Sequence, residues 1–233
     1  APINSPSLRK IAHRETLYDD FTRQPLLPYK HSQLGPGIAW QDVDGDGDAD
    51  FFLSGGAGHP GRLSLNVDRG TFREVPSPDL AKHAASEDLG ALFFDANGDG
   101  RQDLYVVSGG VECNPGAELL RDRLYLNNES GRLAHAMEAL PDLRDSGSCV
   151  VGADYDRDGD MDWFVTSIWD PETANNGSGN RLYRNDGRGN FEDVTDEAGV
   201  REGDWGWGTC FADFDNDGHA DIFHTNGHQS RAK

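Results

Sequence analysis

One nine-residue pattern is written four times along this chain: DVDGDGDAD from Asp42, DANGDGRQD from Asp95, DYDRDGDMD from Asp154 and DFDNDGHAD from Asp213. Each copy sets oxygen-bearing side chains at positions 1, 3, 5 and 9 and a glycine at position 6. Calcium takes six to eight oxygen ligands in flexible geometry, and alternating Asp/Asn side chains plus a backbone carbonyl supply them. The glycine permits the sharp turn that such a cradle needs. The predicted ligand positions are Asp42, Asp44, Asp46, Asp48 and Asp50 in the first loop, and Asp95, Asn97, Asp99, Arg101 and Asp103 in the second. They are Asp154, Asp156, Asp158, Asp160 and Asp162 in the third, and Asp213, Asp215, Asp217, His219 and Asp221 in the fourth. Position 7 is variously Asp48, Arg101, Asp160 and His219.

The start of this pattern is shared with the EF-hand, which requires a bidentate Glu at position 12 and flanking helices. Position 12 is Leu53, Val106, Val165 and His224, so none of the loops closes that way. The flanks read as strands. Phe51-Phe52-Leu53, Leu104-Tyr105-Val106-Val107, Trp163-Phe164-Val165 and Ile222-Phe223 follow the loops, rich in aromatic and β-branched residues. Each cradle is therefore expected to be the turn of a β-hairpin. Further along, the third-strand stretches RLSLN (from Arg62), RLYLN (from Arg123) and RLYRN (from Arg181) are each followed by a Gly-containing turn and a fourth strand. Loop starts 53, 59 and 59 residues apart, with four strands per unit, point to propeller blades, because one four-stranded sheet cannot bury both faces alone.

These residues resemble FG-GAP/VCBS repeats, the blades of the integrin α-subunit propeller and of many secreted bacterial proteins. RLYRNDGRGNFEDVTDEAGV, with GWGTCFADFDNDG after it, is especially similar to the cartilage-acidic-protein and UnbV/ASPIC-type VCBS group. The resemblance implies an all-β, calcium-binding β-propeller over residues 35–233, with about four blades present. It also implies a secreted, periplasmic or cell-surface location and a role in binding or adhesion. The group more often builds six to eight blades, so the chain is expected either to close as a small ring or to be a segment of a longer propeller. Residues 1–34 read as an extension in which Tyr18-Asp19-Asp20-Phe21-Thr22 forms the outer strand of a preceding or closing blade.

Charge agrees with an extracellular calcium protein. There are 41 Asp+Glu against 21 Lys+Arg, a net charge of −20, and the four cradles hold seventeen of the acids. Such acidity disfavours nucleic acid as a partner. No apolar run approaches the length of a membrane span. The Ala1 start suits a processed mature chain. Of the three cysteines, Cys113 and Cys149 are compatible with a bridge or with two free thiols, and Cys210 is expected in the core.

Strand order places the calcium turns and the third-to-fourth-strand turns on one rim. The long connections fall on the other: 54–61, 108–122 and 167–180 within blades, and 76–89, 137–148 and 195–206 between them. Long loops on a rigid scaffold are where binding residues concentrate. His59, Glu112, Trp169 and Trp205 are therefore the candidate contacts for a protein or glycan partner, or for a larger extracytoplasmic assembly. No G-x-S-x-G elbow, H-E-x-x-H helix or phosphate-binding Gly loop is present, and no catalytic residue is assigned. The expectation is a binding or scaffolding module. The alternative is a propeller enzyme, a lyase or hydrolase acting on polysaccharide or phosphodiester substrates.

Overall fold

The computed structural model describes residues 6–23, 25–26, 30–128, 131–167, 179–203 and 206–226. The first blade is β1 (Ile38–Gln41), β2 (Asp50–Leu53), β3 (Arg62–Asp68) and β4 (Thr71–Val75), hydrogen-bonded in that order. The second is β5 (Glu87–Phe94), β6 (Asp103–Gly109), β7 (Arg123–Asn127) and β8 (Leu133–His135). The third is β9 (Gly147–Ala153), β10 (Asp162–Ser167), β11 (Arg181–Asn185) and β12 (Phe191–Asp193). A further hairpin, β13 (Gly206–Ala212) with β14 (Asp221–Asn226), starts a fourth unit. Neighbours within each unit are antiparallel. The first strands lie side by side, β1 by β5, β5 by β9 and β9 by β13, which is the radial order of a β-propeller. Where β6 and β9 meet, Gly109 faces Gly147 in a single parallel pairing.

Burial explains why the second strands are so apolar. Every residue of β2, β6 and β10 is buried, because both faces of these strands are covered, by neighbouring blades or, on the outer side of β2, by the N-terminal segment. Alternate residues then serve different partners. Phe52, Leu63 and Leu65 of the first blade pack against Phe93, Leu104, Val106 and Tyr125 of the second. Tyr105, Val107 and Leu124 turn the other way, onto Trp163, Val165, Tyr183 and Phe191 of the third. Phe164, Leu182 and Val194 meet Phe211 and Ile222 of the hairpin. Fully buried Trp163 centres this packing, its ring 4.0 Å from Phe191 and 4.5 Å from Tyr105, centroid to centroid.

The outer face of the first blade, Phe51, Leu53 and Phe72, is covered by Leu8 and Ile11 of the N-terminal segment. That segment does not use a strand to do so. The expected strand over Tyr18–Thr22 is corrected to a short helix, α1 (Asp20–Arg23). Asp19 starts it, its carboxylate accepting the Phe21 N–H at 3.2 Å and its carbonyl the Thr22 N–H at 3.1 Å. Two more short helices lie in the links between blades, α2 (Pro78–Lys82) capped by Ser77, and α3 (Thr195–Ala198), ended by Gly199 at φ +68°.

Two further expectations are resolved. No disulfide joins Cys113 and Cys149. Cys210 is exposed rather than core: it stands opposite Phe223, itself 53% exposed, on the face of the β13–β14 hairpin that no further strand covers. Among the described residues no helix is long and apolar enough to cross a membrane.

If inter-blade packing holds the propeller together, Trp163→Ala should cost about 3–5 kcal/mol, the usual penalty for emptying a fully buried aromatic site. The urea midpoint measures it; a midpoint unchanged from the parent chain would contradict the packing described.

Candidate metal cradles and the long-loop rim

The four repeated loops form the turns β1–β2, β5–β6, β9–β10 and β13–β14, as their spacing predicts. The first Asp organises each turn. Asp42 accepts from the N–H groups of Gly45 (2.8 Å), Asp46 (3.1 Å) and Gly47 (2.9 Å). Asp95 repeats this with Gly98 (2.8 Å), Asp99 (3.1 Å) and Gly100 (2.7 Å). Asp154 and Asp213 accept from Gly159 and Gly218 at 3.1 and 2.9 Å. The position-6 glycines adopt φ of +90°, +81°, +99° and +87°, the left-handed region that side chains avoid. Position 4 is left-handed as well, in Gly45, Gly98, Arg157 and Asn216, which the sequence reading missed; Gly or Asn in three of four copies was the available signal.

Three loops bring acids together. One carboxylate oxygen each from Asp42, Asp44 and Asp50 lie within 4.8 Å of one another, as do those of Asp154, Asp156 and Asp162, and those of Asp213, Asp215 and Asp221. In the second loop Asn97 replaces the acid at position 3, and its side-chain oxygen accepts the Asp99 N–H at 3.1 Å. Position 5 lies outside these trios. Asp46, Asp99, Asp158 and Asp217 each accept the N–H of position 7, at 2.8–2.9 Å. The position-7 side chains share no role: Arg101 turns to the Asp99 carboxylate (2.5 Å) and the Asn127 carbonyl (3.1 Å). The donor set is therefore oxygen only and dominated by carboxylates, which suits a hard divalent cation such as calcium.

Position 9 has a second task. Asp50, Asp103 and Asp162 are fully buried. One oxygen of each accepts the position-2 N–H of its own loop, from Val43 (2.8 Å), Ala96 (2.9 Å) or Tyr155 (3.1 Å). The other accepts the N–H of the Asn on the third strand: Asn66 (2.7 Å), Asn127 (2.7 Å) or Asn185 (2.9 Å). That Asn then reaches across to the preceding blade. Asn127 Nδ2 donates to the Val43 carbonyl at 2.8 Å, and Asn185 Nδ2 to the Ala96 carbonyl at 3.1 Å. Burial raises all three carboxyls above the ordinary carboxylate value, Asp103 and Asp162 to about 6. A nearby cation would oppose that rise by favouring the ionised form.

The opposite rim holds the long connections and a cavity of about 490 Å³. His59, Pro60, Pro76 and Pro78 line it from the 54–61 and 76–89 connections, with His13 and Arg14 from the N-terminal segment. His59 thus lies where a partner contact was expected. Glu112 lies on the same rim but is half-buried, with one carboxylate oxygen closed off from solvent. Trp169 and Trp205 fall outside the described residues. Ion pairs brace this rim: buried Arg123 with Asp88, and Arg181 with Asp145 at 2.5 Å and Asp193 at 3.2 Å.

Comparison with known proteins fits this architecture. The family model described as an FG-GAP-like repeat matches residues 42–106 and 173–224. No curated protein matches the chain. Among solved structures, that of an Agrocybe aegerita lectin with specific recognition of non-reducing terminal N-acetylglucosamine is similar at 21% identity and a TM-score of 0.43. The match covers 69% of this chain, which spans only 37% of the lectin chain.

The clamp at position 9 is separable from cation binding. Asp103→Ala strands two buried N–H groups at about 1–3 kcal/mol each, so it should lower stability by about 2–6 kcal/mol even in excess chelator. Chemical denaturation in EDTA checks this, and an effect seen only when calcium is present would refute the clamp.

Proposed function

This chain belongs to the FG-GAP-like repeat family, and we propose that it is a calcium-stabilised β-propeller that binds a glycan or protein partner through its long-loop rim. The observation that carries the reading is the division between the rims: tight acidic turns on one, a cavity of about 490 Å³ among long connections on the other. Four ions are assigned, one per cradle. The side chains of positions 1, 3, 5 and 9 hold each ion, joined by the carbonyl of Asp48, Arg101, Asp160 or His219. Bound calcium supplies charge compensation, offsetting eight of the chain's negative charges and fixing turns whose acids otherwise repel one another. Calcium suits the site better than magnesium, which demands a stricter octahedron.

An extracytoplasmic location follows from the same chemistry, since exposed loops of this kind need the abundant calcium found outside cells to stay loaded. On the opposite rim, His13, Arg14 and His59 give the cavity polar contacts, while Pro60, Pro76, Pro78 and Val75 give it stiff apolar walls. Such a mixture binds by shape and a few anchors. The reading assigns no catalytic residue: the chain acts as a binding module and not as an enzyme.

Removal of calcium should lower the melting temperature and speed proteolysis, both restored by Ca²⁺ more fully than by Mg²⁺. The benefit should shrink in acid. With Asp103 and Asp162 raised to about 6, the cation-free fold binds more protons than the unfolded chain between about 4 and 6. Its stability therefore falls as pH rises through that window, whereas calcium rewards the ionised form. The calcium-induced shift in melting temperature should be larger at pH 7.5 than at pH 5; an equal shift at both, or none at either, would count against the cradles.

Partner binding is tested on a glycan array and by pull-down from the native source. Arg14→Ala with His59→Ala should weaken any captured ligand about tenfold or more while leaving calcium content unchanged. Arg188→Glu, in the turn between β11 and β12, should have little effect. Loss of binding with Arg188→Glu alone would overturn the assignment of faces, and ligand turnover by the parent chain would favour the enzyme alternative.

A further inference from the structure

Away from the cradles, four acids lie in one region of the long-loop rim, each with an oxygen its own fold leaves without a partner. Glu15 and Asp20 come from the N-terminal segment, Glu87 from the start of β5, and Glu112 from the 108–122 connection. Asp20 and Glu87 are buried, at 2% and 4% exposure. Each acid keeps one oxygen that is shielded from solvent and without a hydrogen-bond partner: Glu15 Oε2, Asp20 Oδ1, Glu87 Oε1 and Glu112 Oε1. For three of them the other oxygen is well used. Glu87 accepts the Ala57 N–H at 2.6 Å, Asp20 accepts the N–H groups of His31 (2.9 Å) and Ser32 (3.1 Å), and Glu15 pairs with His13.

These groups act on one another. After burial, the strongest influences raising Glu87, to about 7, are Glu15 and Glu112. Glu112 is raised by burial, then by Glu15 and Asp20. Among the side chains that most influence Glu87, His13 acts in the opposite direction and lowers it. Backbone contacts fix the arrangement. The Glu15 carboxylate lies against Gly56, next to the Ala57 N–H that Glu87 accepts, and the Glu87 side chain lies 3.2 Å from where a Cβ on Gly110 would stand. Buried carboxylate oxygens without a donor or cation are costly, and several from separate chain segments compound the cost.

We propose that Glu15, Glu87 and Glu112, with Asp20 behind them, form a further divalent-cation site that takes calcium. Its ligands come from three distant stretches of chain rather than from one loop. No three of their oxygens lie within 4.8 Å of one another as the cradle trios do, so the side chains close in on the ion as it binds and water completes the coordination shell. The bound ion fastens the N-terminal segment to the first two blades. His13 carries that order to the neighbouring cavity, because its ring contacts both Glu15 and the Ser54 carbonyl (2.8 Å) and lines the cavity wall. The site is thus a latch that holds one wall of the partner-binding cavity in place.

Equilibrium dialysis against calcium alone, with metal content read by atomic emission, tests this on the full chain. The parent should hold five ions, and Glu87→Gln or Glu112→Gln four, with faster proteolytic cleavage within residues 6–34. Asp154→Ala should lose a cradle ion and leave that cleavage unchanged. Half-buried Glu112 keeps the test usable if Glu87→Gln folds poorly. A parent holding one ion, lost in Glu87→Gln, would uphold the latch while refuting the cradles. An unchanged ion count in both Gln variants, or a higher melting temperature without ion loss, would overturn the latch.

Discussion

A buried carboxylate at the ninth position of the first three loops ties this molecule together. Asp50, Asp103 and Asp162 each accept one N–H from the turn and one from the third strand, so a carboxylate's two oxygens meet two backbone donors. The turn, the second strand and the third strand are thereby set relative to one another before any cation enters. Asn127 and Asn185 extend the connection to the preceding blade through their side-chain N–H groups. Cradle geometry and blade stacking are consequences of the same few hydrogen bonds.

This coupling explains why the chain tolerates so much negative charge in so little space. The acids are not merely exposed on flexible turns. Their loops are pre-shaped by N–H groups converging on the first Asp and by left-handed residues at positions 4 and 6. On the proposed reading a cation would meet oxygens already gathered, so less of its binding energy would go into ordering the chain. The blades supply the rigid base: with both faces of β2, β6 and β10 covered, the turns between first and second strands have little freedom to splay.

Much of this was legible in the sequence, for physical reasons. Alternating oxygens with a fixed glycine have few explanations, and the failure of position 12 in every copy removed the main rival. The second strands were visible because burial on both faces demands continuous apolar runs such as Leu104–Val107. What stayed hidden depended on distant partners. Asn66, Asn127 and Asn185 end the three third strands in plain view, yet nothing local says that their N–H groups seek an aspartate 16 to 24 residues back. Tyr18–Thr22 misled because its mixture of aromatic and polar residues suits a strand, whereas Asp19 capping and the burial of Asp20 against Ser32 select a helical turn. Glu112 was expected to face a partner, but neighbouring segments enclose one of its oxygens.

Amide hydrogen exchange across the cradles, with and without calcium, tests the central claim most directly. The account predicts that the N–H groups of Ala96, Asn127, Tyr155 and Asn185 stay protected in chelator, because aspartate oxygens hold them. Those of Asp99, Gly100, Asp158 and Gly159, in the solvent-facing turns, should gain further protection when calcium is added. Rapid exchange of the first set in chelator, or a second set indifferent to calcium, would contradict it.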